Sequence, residues 1–219
     1  IVLKDTMQSN QNGNASLFNA LKNIDLSVFD SVAVGPGIGI DNDDWQKSED
    51  YLISYGGLLI LDADALNRIS ESNLGANFFL ERKFKTWITP HSREFRRLFP
   101  HIKSETNLGL AFDAAKEFNI SILYKGANSI VADNKMAWQL FGTDSQTARA
   151  GLGDLLSGFV AGNSALDLSF CKNITTDFFA KYVLLHSYAA SKCKTGSNAS
   201  AIDAELSKLM RNRKMREIS

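Results

Sequence analysis

Leu58-Leu-Ile-Leu61 runs without a break into Asp62-Ala-Asp64-Ala-Leu-Asn67. A short aliphatic run that stops at a polar, acidic loop is what a strand of a parallel sheet looks like in sequence. The pattern recurs at Ser31–Val34, 86–89 and Ser121–Tyr124. Between these runs lie amphipathic stretches: 15–24, with Asn14 placed to cap it; 43–55, with acids in its first turn; and Asn107–Phe118. Strand and helix alternate, so the expected class is α/β, with a mostly parallel sheet covered by helices. After Lys125 the pattern changes, and 129–132 and 135–140, joined at Asp133-Asn134, are expected to form an antiparallel hairpin. From Gly153 onward the chain reads as helical, over 153–165, 175–192 and 201–213. No repeat, linker or low-complexity tract interrupts it, so a single domain over residues 1–219 is expected.

Composition narrows the function classes. The chain has 219 residues, 44% hydrophobic and 22% charged, which excludes a disordered, collagen-like or coiled-coil protein. Lys+Arg and Asp+Glu number 24 each, a formal net charge of zero. That balance gives no general attraction to nucleic acid or an anionic membrane, so neither partner is expected, and any anionic ligand has to be held by local geometry. Cys171 and Cys193 stand apart from each other and from any His/Cys cluster, which fits two free thiols in a reducing compartment. No apolar run approaches the ~18 residues of a membrane span, and Ile1-Val-Leu-Lys4 lacks the length and flanks of a signal peptide. A cytoplasmic location is expected. His101 and His186 lack metal-ligand spacing, and His186 sits in an apolar pattern that suits a core or interface position.

Four of the strands end in loops of unusual chemistry: Gly35-Pro-Gly37-Ile-Gly39, Asp62-Ala-Asp64-Ala-Leu-Asn67, Thr89-Pro-His91 and Lys125-Gly126. In an open parallel sheet the carboxyl ends of the strands share one edge, where ligands bind, so the four loops are expected to converge on one cleft. Each loop alone has a plain alternative: glycines, Asp and Asn form turns, His91 caps the helix that follows, and Lys125 snorkels from a strand end. The first loop is not a dinucleotide fingerprint, because Asn42 stands where the third glycine of G-x-G-x-x-G belongs, and no Gly-Lys-Ser/Thr of a Walker A loop occurs. Its glycines allow close approach of backbone to a ligand.

Ala148-Arg-Ala-Gly151-Leu-Gly153-Asp154-Leu-Leu-Ser-Gly158 is the most informative stretch. Two glycines precede an acid that opens a long apolar helix, so helix N-terminal amides would face a phosphate beside a carboxylate. A carboxylate repels a phosphate it only binds. It makes sense if Asp154 takes a proton from a hydroxyl while the amides neutralise the phosphoryl in transfer. The alternative is an N-terminal Asp with glycines for packing.

Taken in order, Gly35-Pro-Gly-Ile-Gly39, Leu61-Asp-Ala-Asp-Ala-Leu-Asn67, Thr89-Pro-His91 with Glu94-Phe95, Lys125-Gly126-Ala127 and Ala150-Gly-Leu-Gly-Asp-Leu-Leu-Ser-Gly158 resemble the ADP/ATP-dependent NAD(P)H-hydrate dehydratases, members of the ribokinase-like superfamily. The resemblance covers about Val32 to His186, and the Asp-Ala-Asp-Ala-Leu-Asn and Thr-Pro-His loops are its most specific parts. It implies a three-layer ribokinase-like sandwich and a repair reaction. Hydrated NADH or NADPH carries a hydroxyl on C6 of the reduced nicotinamide ring. Family members phosphorylate it with ADP in bacteria or ATP in eukaryotes, and the phosphate then leaves. By position, Asp154 matches the catalytic, substrate-contacting Asp. Gly151 and Gly153 lie at the nucleotide, and Lys125, Gly126, Ala127, Asn128 and Ser129 match the segment that holds its nucleoside and phosphates. His91, Gly37 and Gly39 match substrate contacts; Asp62, Asp64 and Asn67 line the same cleft, one of them ordering Mg²⁺ or the substrate ribose. A homo-oligomer, with a tetramer suspected, and an NAD(P)H-hydrate epimerase as functional partner also follow from the resemblance.

Three departures qualify it. Leu152 stands where the family commonly has a small hydroxyl residue, and Arg149 where a small residue is common. The family's first βαβ segment has no counterpart before Ile1, so part of the substrate pocket is expected to be missing and Ile1 to begin an internal strand. Two rival functions stay open: a ribokinase-like kinase for a vitamin precursor of the hydroxymethylpyrimidine or hydroxyethylthiazole type, and a non-catalytic nucleotide-sensing module.

Overall fold

A computed structural model of the chain describes residues 16–39, 42–141, 151–194 and 197–218. Strands β1 (Ser31–Val34), β2 (Leu58–Leu61), β3 (Thr86–Ile88) and β4 (Ser121–Tyr124) lie side by side in chain order and parallel. Beyond β4, β5 (Ile130–Ala132) and β6 (Ala137–Gln139) extend the sheet antiparallel. Because successive strand residues face opposite sides, the aliphatic runs supply two cores at once. Leu59, Leu61, Ile88 and Ile122 point into one, and Leu58, Ile60, Trp87 and Leu123 into the other.

The first core is covered by α1 (Leu17–Lys22), α2 (Asn42–Ser54), α3 (Asp64–Glu71), α4 (Asn77–Glu81), α5 (Ser92–Leu98) and α6 (Asn107–Phe118). The second is covered by α7 (Leu152–Phe170) and α8 (Thr176–Lys192), with Trp87 stacked on Phe179 at a centroid distance of 4.6 Å. Helix α9 (Ala199–Ile218) packs against α8 through Ile202 and Leu206. The result is the expected helix–sheet–helix sandwich. Among the described residues no helix is long and apolar enough to cross a membrane, and Cys171 and Cys193 are free thiols.

Several boundaries differ from expectation for local reasons. Helix α1 starts at Leu17, capped by Ser16, whose hydroxyl accepts the Asn19 amide and donates to Asp44; Asn14 lies outside the described residues. The hairpin turns at Asn134-Lys135 rather than Asp133-Asn134. The Asp133 carboxylate accepts the Lys135 and Met136 amides, and the backbone of Asp133 pairs with Met136, which places the tip one residue later. The stretch 62–67, expected as a loop throughout, turns helical at Asp64, and α4 was not foreseen. The expected strand at Ile1 falls outside the described residues.

His186 is a core residue, 7% exposed, with an Nε2 that has no hydrogen-bond partner among the described residues. Burial pushes its pKa down to about 4 from an ordinary value of 6.5. The unfolded chain therefore takes up this proton near pH 6.5 while the folded one refuses it down to about pH 4. The stability tied to this site is complete above that window and falls with pH inside it, by up to about 1.4 kcal/mol per pH unit. Melting temperatures between about pH 7 and pH 5 are expected to fall less for His186→Leu than for the unsubstituted chain; parallel curves would refute the assignment.

Candidate active site

The parallel strands end in register, Val34 opposite Leu61 and Leu61 opposite Ile88. Gly35, Asp62 and Thr89, the first residues past each strand, therefore meet on one edge of the sheet. Pairing between β3 and β4 continues beyond the strands to a bridge between His91 and Lys125, and the Lys125 amide donates to the Pro90 carbonyl at 2.8 Å. The four loops thus converge as expected. Gly126, Ala127 and Asn128 form an exposed bend there, and the Ser129 hydroxyl donates back to the Gly126 carbonyl.

At the centre lies Asp62, 1% exposed. Its Oδ1 accepts from Lys125 Nζ at 2.6 Å and from the Ala63 amide at 2.8 Å, and its Oδ2 from the Ser157 hydroxyl at 2.8 Å. Gly153 lies against this pair: a Cβ there would stand 3.4 Å from Asp62 Oδ2 and 3.7 Å from Lys125 Nζ. The missing side chain lets the start of α7 approach the ion pair closely.

The turn after β2 is strained. Ala63 has φ 48° and ψ −120°, a conformation that costs an L-residue on the order of 1 kcal/mol. The first loop is pressed onto the same turn. Gly35, at φ 137°, lies so near the Asp62 carbonyl that a Cβ would stand 1.7 Å from that oxygen. Gly37 and Gly39 also have positive φ, and the Gly39 amide donates to Asp64 Oδ2 at 3.0 Å. Arg68, 1% exposed, donates to the Ile38 and Gly39 carbonyls from α3. Asp64 and Arg68 therefore grip the glycine loop from both polarities.

His91 does cap the following helix. Its Nδ1 accepts the Arg93 and Glu94 amides, while Glu94 accepts the His91 amide, a capping box. The ring is still 47% exposed, with Nε2 3.3 Å from Glu94 Oε1. Among the described residues, two polar atoms on this edge are buried without a partner: Asn67 Oδ1 and the Thr89 hydroxyl, the latter on a fully buried residue.

Helix α7 begins on this edge, where Ser157 reaches Asp62. Gly151, at φ 80°, occupies its N-cap position and, being a glycine, offers no side-chain cap. Asp154 lies in the first turn, exposed, and its carboxylate makes no hydrogen bond or ion pair among the described residues. Asp154 and Gly153 thus occupy the expected places, whereas Ala148, Arg149 and Ala150 fall outside the described residues. Among the described residues no group of three His, Cys, Asp or Glu side chains could hold a metal ion.

A family model described as NAD(P)H-hydrate dehydratase matches residues 3–212. The chain belongs to that family. A bifunctional NAD(P)H-hydrate repair enzyme of Synechocystis is 36% identical over 143 residues, 65% of this chain and 26% of that protein. An ADP-dependent (S)-NAD(P)H-hydrate dehydratase of Listeria monocytogenes is 32% identical over 174 residues, 74% of this chain and 55% of the relative. The chain spans about a quarter of the bifunctional relative and about half of the second. The fold matches a ribokinase-like superfamily protein of Enterococcus faecalis, with TM-score 0.70 at 22% identity over 90% of this chain and 66% of the other. It also matches a Bacillus subtilis ADP/ATP-dependent NAD(P)H-hydrate dehydratase co-crystallised with ATP/Mg²⁺, with TM-score 0.66 at 20% identity over 84% and 64%. The architecture is ribokinase-like.

Sequence reasoning gave no role to Ser157, Arg68, Glu94 or Ala63. Arg68 carried a signal, a charge among Ala65, Leu66 and Ile69 on an otherwise buried helix face. Ser157 carried a weaker one, a hydroxyl beside Leu156 on the buried face of α7. Gly35→Ala is expected to lower unfolding free energy by about 3 kcal/mol or more, because both the contact and the φ forbid a Cβ. Chemical denaturation checks this, and near-native stability would show that the two loops do not press together.

Proposed function

We propose that this chain removes water from NAD(P)H hydrate, using ADP or ATP to turn the C6 hydroxyl into a leaving phosphate. The observation that carries this is the exposed Asp154 carboxylate, unpaired among the described residues and one residue beyond the Gly153 backbone that abuts Lys125, on a helix whose N-cap Gly151 offers no side-chain cap. A general base next to an anion-binding helix terminus suits phosphoryl transfer to a hydroxyl. Membership of the family supports the substrate.

In this mechanism Asp154 accepts the proton of the C6 hydroxyl as its oxygen attacks the terminal phosphoryl group. The α7 amides and Lys125 face the charge on that group, the role electrostatic preorganisation plays in phosphoryl transfer. AMP leaves if ADP is the donor, ADP if it is ATP. The ring-nitrogen lone pair then expels phosphate from C6, and loss of a C5 proton restores the double bond of NAD(P)H. In this reading the exposed 126–128 bend and Ser129 take the nucleoside, and Gly37, Gly39, His91 and Asn67 take the dinucleotide; the exposed His91 ring and the positive φ of both glycines support it. Mg²⁺ enters this scheme as the counter-ion of the nucleotide phosphates.

The shared sheet supports one domain. Free thiols suit a reducing cytoplasm. A homo-oligomer, taken as a tetramer, and an epimerase acting on the same hydrate complete the proposal; relatives named as bifunctional repair enzymes support the second repair step.

Reduced-nicotinamide absorbance is expected to return when NADH hydrate is mixed with the protein and ADP or ATP. A stable phosphorylated product without that recovery would favour a kinase. Asp154→Asn is expected to lower kcat by about 10²-fold or more while nucleotide binding persists. Intact turnover in this variant would overturn the mechanism.

A further inference from the structure

We propose that Asp62 is a positioning residue for Lys125, holding the ammonium over the N-terminus of α7, and is not itself a ligand of metal, ribose or phosphate. The inference rests on the nucleotide-dependent reading of this edge. A carboxylate has about four lone-pair sites, and three of Asp62's are taken by the Lys125 ammonium, the Ala63 amide and the Ser157 hydroxyl. At 1% exposure the fourth has no access to a ligand. Lys125 is different: an ammonium has three donors, one goes to Asp62, and the side chain is 26% exposed. The pair has a buried end and an open end, and the open end is the cation.

Where that cation sits is the second part of the argument. A Cβ on Gly153 would stand 3.7 Å from Lys125 Nζ, so the charge hangs beside the second residue of a 19-residue helix. A cation at a helix N-terminus is repelled by the dipole, and a lysine free to choose would swing into solvent. Asp62 offsets that repulsion and keeps the ammonium in place before any anion arrives. Its own position is set in turn by the strained Ala63 turn and by Ser157 on the same helix. Backbone amides and ammonium then face an incoming phosphoryl group without rearrangement.

A double-mutant cycle on the full chain decides this. Affinity for ADP, by calorimetry, and kcat/KM for NADH hydrate with ADP are measured for Asp62→Asn, Lys125→Met and the pair, with melting temperatures alongside. Asp62→Asn is expected to cost about tenfold or more in both quantities when Lys125 is present, and nothing further in the Lys125→Met background, because it acts only through that ammonium. Losses that multiply, while the unsubstituted chain turns over normally, would overturn the proposal and show an independent ligand or a general structural role. If Asp62→Asn fails to fold, the same cycle is run with Asp62→Glu, which keeps the charge and displaces it by one methylene. A chain that binds ADP but does not restore NADH refutes the dehydratase function alone, since the ADP cycle still decides Asp62; a chain that binds no nucleotide overturns both.

Discussion

The ion pair between Asp62 and Lys125, 2.6 Å long, ties together parts of the chain that are far apart in sequence. Asp62 ends β2, Lys125 follows β4, and Ser157 brings α7 to the same carboxylate. Helix α7 belongs to one helical layer and α3, which begins two residues after Asp62, to the other. A single buried charge thus sits where both layers and the sheet edge join. Buried carboxylates are tolerated when paired and hydrogen-bonded, and both oxygens of this one are engaged.

The same economy governs the buried arginines. Arg68 spends its guanidinium on the Ile38 and Gly39 carbonyls. Arg82, 4% exposed, donates to the carbonyls of Leu52, Tyr55 and Gly57, where α2 ends and β2 is about to begin. Burial pushes the Arg82 pKa down to about 10, which leaves it charged at neutral pH. In these bonds both close off carbonyls that a loop or helix end would leave unsatisfied. One holds the glycine loop at the site edge and the other braces the opposite edge of the sheet, so the rigidity of the site is built from both ends.

Much of this was legible before any coordinates. Ser31–Val34, Leu58–Leu61, Ser121–Tyr124 and Asn107–Phe118 appear with the expected bounds, because continuous aliphatic runs and a 3.6-residue period are local signals that tertiary contacts reinforce. The convergence of the glycine, acidic, Thr-Pro-His and lysine loops followed from the parallel order of the strands. Less visible were α3 and α4, short helices whose stability comes from burying Ala65, Leu66, Phe78 and Phe79 and not from propensity. The hairpin tip moved by one residue because the Asp133 side chain closes the turn.

The sequence by itself determined where the acid and the glycines stand. An acid behind two glycines, opening a helix at the carboxyl edge of a parallel sheet, is readable from residue type and order, since backbone amides and carboxylates act by position along the chain. What only the tertiary structure decided is the division of labour among the acids. Asp62, Asp64 and Asp154 are the same residue in sequence, but Asp62 is buried against Lys125 and Ser157, Asp64 holds the Gly39 amide, and Asp154 stays exposed and unpaired among the described residues. The partners of Asp62 lie 63 and 95 residues away, and no local pattern encodes contacts at that separation. They arise because strand register and helix packing bring those atoms within hydrogen-bond reach.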